Sequence, residues 1–179
     1  MPRYVVLLRG VNVGKGNRVP MAEFRTLLER LVHTQVQTLL NSGNAVFTSS
    51  ARSAARLATA IADALAQALG VNVPVVVKSA AEFAEILDGN PMAVPEADHS
   101  RFLVEFASDA EALRGLEALR PLAQAPERFE VGPHAAYLHC ANGVLESKVG
   151  AALLGKQGRA VTTRNWATVL KLAALLTPP

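Results

Sequence analysis

Short apolar runs and helically spaced apolar stripes alternate along this chain in one order, and the order occurs twice. Tyr4 to Leu8 is a near-continuous apolar run, as expected of a central strand covered on both faces. Pro20 suits a helix start, and Phe24, Leu27, Leu28 and Leu31 follow at helical spacing. Gln35 to Leu40 and Ala45 to Thr48 read as strands joined by NSGN, Asn41 to Asn44, residue types that tolerate tight-turn dihedrals. Leu57, Ile61, Leu65 and Leu69 mark a helix stopped by Gly70, and Pro74 to Lys78 reads as another strand. This first half therefore reads β-α-β-β-α-β.

SAAE, Ser79 to Glu82, has the capping-box pattern and predicts a helix holding Phe83, Ile86 and Leu87. The stretch from Asp88 to Ser100 is rich in Pro, Gly, Asn and Asp and reads as a linker. Phe102, Val104 and Phe106 then alternate on a strand, with Glu105 expected to face outward. SDAE, Ser108 to Glu111, is a second capping box, opening a helix with Leu113, Leu116 and Leu119. Arg128 to Val131 and Ala135 to Cys140 read as a hairpin around Gly132 and Pro133. Val149 to Leu154 predicts a short helix and Arg159 to Thr162 a short strand. Trp166, Val169, Leu170, Ala173 and Leu176 make a final helix. The expected fold is α+β: two ferredoxin-like β-α-β-β-α-β subdomains in tandem plus extra helices. Residues 1–88 form the first with its following helix, 89–100 the linker, and 101–179 the second with the C-terminal helix.

Composition narrows the function. Half of the 179 residues are hydrophobic, enough for a substantial core. No apolar stretch approaches the ~20 residues of a membrane span, and no secretory leader pattern opens the chain. One cysteine, Cys140, excludes an internal disulfide framework and fits a reducing cytoplasm, the expected location. Residues 1–22 carry Arg3, Arg9, Lys15 and Arg18 and no acid. Residues 147–179 carry five basic residues and again no acid. The middle holds the other 9 of the 18 basic residues and all 15 acids, a net charge of −6. Two acid-free ends suggest an anionic partner where they meet; the plain alternative is a surface of separately solvated charges.

The loop LLRGVNVGKGNRVP, Leu7 to Pro20, sharpens this. It is not a Walker loop: Gly10 and Gly14 are four apart rather than five, and Gly16 stands where Ser or Thr should follow Lys15. The dinucleotide fingerprint fails as well. Its glycines still let backbone N–H groups turn toward an anion. Arg9 can grip a carboxylate or phosphate with two parallel bonds, and Lys15 and Arg18 add charge. Asn12 and Asn17 can bond a ligand or the loop itself. The predicted topology puts this loop at the same sheet edge as NSGN, so Ser42, Gly43 and Asn44 are expected to face the same pocket.

The motifs LLRGVNVG (Leu7 to Gly14), VPM (Val19 to Met21), NSGNAVF (Asn41 to Phe47), NP (Asn90, Pro91), YLH (Tyr137 to His139), SK (Ser147, Lys148) and TTRNW (Thr162 to Trp166) stand in a familiar order. In these the chain resembles domain-of-unknown-function family 1697, a group of bacterial proteins. The resemblance implies two ferredoxin-like subdomains and no assigned activity. Two departures accompany it: Lys15 precedes Gly16 where members often have two glycines before the lysine, and Ala167 follows the tryptophan where Asn is common. Thr163 or Asn165 can cap the last helix, and Arg164 would reinforce an anion at that helix start. Lys148 opens the preceding helix. The structural alternative for these residues is capping and solvated charge around a core Trp166.

Other chemistry is poorly supported. His134 and His139 are expected on opposite faces of one strand, and no Cys or carboxylate cluster accompanies the four histidines, so no metal site is predicted. Cys140 is expected to be a small buried residue. Aromatics are 5% of the chain, too few for base stacking on an open sheet, although phosphate contacts to nucleic acid remain open. No cofactor, catalytic residue or oligomeric state is predicted. The first reading is a binder of a phosphate-bearing, nucleotide-like anion through Arg9, Asn12, Gly14, Lys15, Ser42, Gly43 and Asn44, joined by Lys148, Arg164 and Asn165. Alternatives are a nucleic-acid-binding protein using the same basic face, an enzyme with Lys148 or Ser42 in a chemical role, and a protein-interaction module without ligand.

Overall fold

The computed structural model describes residues 1–177. The chain divides into two compact units. Unit 1 is Met1–Phe83 together with residues 172–177, and unit 2 is Ala84–Lys171.

Unit 1 runs β1 (Arg3–Leu8), α1 (Met21–Arg30), β2 (Thr34–Leu39), β3 (Asn44–Thr48), α2 (Ala54–Leu69) and β4 (Val75–Ser79). All pairings are antiparallel, in the order β2-β3-β1-β4, so the earliest strand lies inside the sheet. Tyr4, Val6 and Leu8 alternate onto the face covered by the helices, against Phe24, Leu28, Ile61 and Leu65. Val5 and Leu7, on the other face, are also fully buried, which is why β1 reads as an unbroken apolar run. Helix α2 starts where Ser53 Oγ accepts the Arg56 N–H and stops at Gly70 in the left-handed conformation, φ +64. Helix α1 ends differently. The left-handed residue beyond it is Val32, φ +66, whose N–H bonds the Glu29 carbonyl.

Helix α3 (Ala80–Asp88) spans the boundary between the units and begins with the predicted capping box. The Ser79 N–H donates to Glu82 Oε2, and the Glu82 N–H donates to Ser79 Oγ.

Unit 2 repeats the order with β5 (Phe102–Ala107), α4 (Ala110–Gly115), β6 (Arg128–Val131), β7 (Ala136–His139), α5 (Lys148–Leu154) and β8 (Val161–Asn165). Helix α6 (Trp166–Leu176) follows. The sheet order, β6-β7-β5-β8, reproduces that of unit 1. The fold is therefore two ferredoxin-like subdomains in tandem with extra helices. The predicted linker contains a short 3-10 turn, Glu96–Asp98, and buries Met92.

Several local expectations need correction. Asp109, not Ser108, caps α4, its carboxylate accepting the Ala112 N–H, while the Ser108 N–H bonds the Ala160 carbonyl and continues the sheet edge. The predicted Leu113–Leu119 helix is α-helical only to Gly115 and continues as 3-10 turns through Pro121, which has no N–H to give. The last strand begins at Val161 rather than Arg159. His134 lies in the turn before β7, not on the strand with His139.

Candidate functional site

The glycine-rich loop and the NSGN turn form one tightly joined structure. The Leu8 N–H donates to the Gly43 carbonyl at 2.8 Å, and the Arg9 N–H to the Pro74 carbonyl at 3.1 Å. Beyond Arg9 the chain repeatedly enters the left-handed region, at Gly10, Asn12, Gly14 and Asn17. Asn12 holds the loop closed. Its N–H bonds the Asn17 carbonyl, its Oδ1 accepts the Val19 N–H at 2.9 Å, and its Nδ2 donates to the Val19 and Asn41 carbonyls at 2.8 and 2.7 Å. Val11 and Val19 are buried and anchor the two ends, whereas Val13 to Arg18 are exposed.

On the other side Gly43 is required by contact as well as by conformation. Its φ is +84, and a Cβ there would lie 2.7 Å from both Leu8 Cβ and Val11 Cγ2. Asn44 is fully buried, its Nδ2 donating to the Leu39 carbonyl and to Ser42 Oγ at 2.9 Å each. The side-chain amides of Asn12 and Asn44 thus build the platform. Its outer surface presents Gly14, Lys15 and Arg18, with half-buried Arg9 and exposed Ser42 at the base. Among the described residues, the N–H groups of Val13, Gly14 and Lys15 bond no protein acceptor. Donors and cations without a carboxylate nearby in sequence can hold an oxyanion electrostatically. The contribution of Pro74 has no signal in the sequence, because an acceptor carbonyl leaves no motif.

The remaining predicted residues lie in unit 2. Lys148 is the exposed first residue of α5, beside Ser147, whose Oγ accepts the Gly150 N–H at 2.9 Å. Asn165 Oδ1 accepts the Thr168 N–H at 3.0 Å and caps α6. Ser147 and Asn165 line one cavity of about 540 Å³, together with Leu103, Glu105, Leu145 and Thr163. Arg164 is not a surface cation. It is 7% exposed, and its Nη1 donates to Thr162 Oγ1 and the Thr163 carbonyl at 2.8 Å each. Burial pulls its pKa down to about 10, against the opposing charge of Glu105.

Glu105, expected to face outward, is completely buried. It lies on the helix-covered face with Leu103 and Ala107, opposite Thr163, whose hydroxyl donates to Glu105 Oε2. Both faces of β5 are buried, so alternation along the strand could not show which side meets water. Also absent from the sequence reading is the pairing of His139 Nε2 with Asp98 Oδ2 at 3.1 Å, across 41 positions. Desolvation pushes the Asp98 pKa up, but hydrogen bonds from Arg101 and His139 outweigh it and hold the carboxyl below its ordinary value. Burial pushes the Cys140 thiol up to about 11, so it stays protonated at neutral pH. Among the described residues no group of three or more His, Cys, Asp or Glu is placed to hold a metal, and no helix is long and apolar enough to cross a membrane.

No curated protein matches the chain. Among solved structures it is similar to the conserved bacterial protein SP0830 from Streptococcus pneumoniae, with 27% identity, a TM-score of 0.82, and coverage of 98% of this chain and 99% of that one. The fold likeness thus extends over both units. The matching family model spans residues 1–137, which include the glycine-rich loop and the NSGN turn and stop short of Lys148, Arg164 and Asn165. By that match the chain belongs to the family described as Protein of unknown function (DUF1697).

Proposed function

We propose that the protein binds a phosphate-bearing, nucleotide-like anion at the platform made by residues 9–18 and 41–44, in a reducing cytoplasm. The observation that carries this reading is the coupling of the two loops. Gly43 seats against Leu8 and Val11, and Asn12 ties its own loop to the Asn41 carbonyl. A donor-rich loop that is fixed in advance loses little entropy when a ligand arrives. Arg9, Lys15 and Arg18 supply the charge, and the N–H groups of Val13, Gly14 and Lys15 the hydrogen bonds. Asn12 and Asn44 act as scaffold, and Arg164 as an interior cation.

The test is a thermal-shift series with ATP, a sugar phosphate, coenzyme A, and short DNA and RNA, at low and moderate salt. A ligand at ~100 times its Kd adds roughly 2.7 kcal/mol, which for a chain of this size raises Tm by about 5–10 °C. The expected result is a salt-tolerant shift with a small phosphate compound, abolished in Arg9→Ala/Lys15→Ala while the fold is kept. A shift with oligonucleotides alone, lost steeply with salt, would replace this reading by nucleic-acid binding.

A second reading has its own support. Asn12, Asn44 and Asn165 each spend hydrogen bonds on a turn or a cap, as an interaction module without ligand would require. No shift with any of these compounds favours it.

A further inference from the structure

The cavity of about 540 Å³ in unit 2 is walled by one sheet face and one helix face. On the sheet side Leu103 pairs with Asn165 and Glu105 with Thr163 across β5 and β8, so these four side chains share a face. On the helix side Ser147, Gly150, Ala151 and Leu154 recur at three- and four-residue spacing and line the same space. The two residues in the middle are small, and the gap they leave above the Glu105–Thr163 pair is the cavity. Its volume suits a small molecule, for which such sites run roughly 300–1,000 Å³.

Apolar side chains crowd its mouth. Leu145 is 99% exposed, Leu154 is 81% exposed, and Val144 also reaches solvent. Single exposed leucines are ordinary, but these gather at one concave site. The polar contribution is a donor. Asn165 Oδ1 is taken by the Thr168 N–H, whereas its Nδ2 has no acceptor among the described residues and is not sealed from solvent. Ser100 adds an exposed hydroxyl. Charge then decides what kind of ligand fits. Glu105 is fully buried in the wall and held by the Thr163 hydroxyl, so it touches no ligand, but its field disfavours an anion. Glu146 and Lys148, on either side of Ser147, are exposed and opposite in sign, and they offset each other. An apolar wall with donors and no net pull on charge selects an uncharged molecule that carries an acceptor oxygen.

We propose that this cavity binds a small uncharged aliphatic carbonyl compound of the acyl-ester kind. The aliphatic body lies against Leu103, Leu145, Leu153 and Leu154, and the carbonyl oxygen accepts from Asn165 Nδ2, with the Ser100 hydroxyl as second donor. One side-chain amide then serves both fold and ligand: its oxygen caps α6 and its nitrogen receives the carbonyl. Every residue of this site lies in unit 2, and none belongs to the glycine-rich platform.

The experiment is an NMR titration of the whole ¹⁵N-labelled protein with methyl heptanoate and, separately, with methyl pentanoate and octanoate. The Asn165 side-chain NH₂ signals and the Ser100, Leu145 and Leu154 amides are followed. The expected result is saturable movement of all of them with methyl heptanoate. Methyl pentanoate, shorter by two CH₂ groups, should bind roughly tenfold more weakly. Octanoate, of the same size but charged, should also bind more weakly than methyl heptanoate. Asn165→Asp keeps an oxygen to cap α6 but loses the donor, and should weaken methyl heptanoate binding by roughly tenfold or more. Leu145→Ser/Leu154→Ser changes two exposed positions, should weaken binding as well, and serves if Asn165→Asp fails to fold. Arg9→Ala/Lys15→Ala should bind the ester as wild type does. Signals unmoved up to the solubility limit of methyl heptanoate would overturn the proposal. So would movement that persists undiminished in Asn165→Asp and in the double leucine variant, or octanoate binding as tightly as the ester.

Discussion

Replacing Gly43 by alanine tests the joint between the two loops directly. At φ +84 the backbone is in a region that costs an L-residue roughly 1–2 kcal/mol. The added methyl would also sit 2.7 Å from Leu8 Cβ and 2.7 Å from Val11 Cγ2. Leu8 belongs to an interior strand and is fully buried, and Val11 is 1% exposed, so neither can retreat into solvent. Overpacking of this kind costs about 1–3 kcal/mol more. The sum, about 2–5 kcal/mol, lowers Tm by roughly 4–20 °C for a chain of this size. Gly14→Ala provides the control. Its φ is +64, but nothing lies within 4 Å of the place its new methyl would take, so only the conformational cost applies, about 1–2 kcal/mol. Urea denaturation of both variants measures the gap. If Gly43→Ala is no less stable than Gly14→Ala, the loops are not packed as described, and the preorganised platform loses its basis.

Two further outcomes follow from strained and buried groups. Val32 is 85% exposed at φ +66, so Val32→Gly relieves a β-branched left-handed residue at little loss of burial; thermal unfolding should show a gain of about 1 kcal/mol. His33 is 8% exposed, stacks on Phe47 at 4.5 Å, and burial lowers its pKa below the ordinary 6.5. The unfolded chain therefore takes up a proton that the folded chain resists. His33 leaves stability undiminished above about pH 6.5 and reduces it as pH falls from there toward the folded value. Urea midpoints between pH 7.5 and 5 (about that range) should fall more steeply in wild type than in His33→Phe, and parallel slopes would contradict the assignment.

The fold is legible in the sequence because its signals are periodic and local. Tyr4 to Leu8 announces an interior strand, Gly70 stops a helix, and Ser79 with Glu82 caps one, each through chemistry confined to a few residues. The meeting of the glycine-rich loop with NSGN is legible at one remove, from the direction of β1 and β2 in this topology. What stays hidden depends on partners far along the chain. Asp98 and His139 are 41 positions apart, and the bulge at Gln35 becomes visible only against β3.

Alternation misplaces Glu105 because it identifies the solvent face only when one face is wet, and β5 has none. The register explains its place. In unit 1 the helix-facing pair at the middle of β1 and β4 is Val6 with Val77, under the 16-residue α2. In unit 2 the corresponding pair on β5 and β8 is Glu105 with Thr163, and the corresponding helix, α5, has 7 residues. A long helix over an apolar pair closes a core. A short one over a carboxylate and a hydroxyl leaves the cavity beside Ser147 and Asn165. The two units share strand order but not this central pair, so their equivalence holds for backbone topology and ends where the side chains meet the helices.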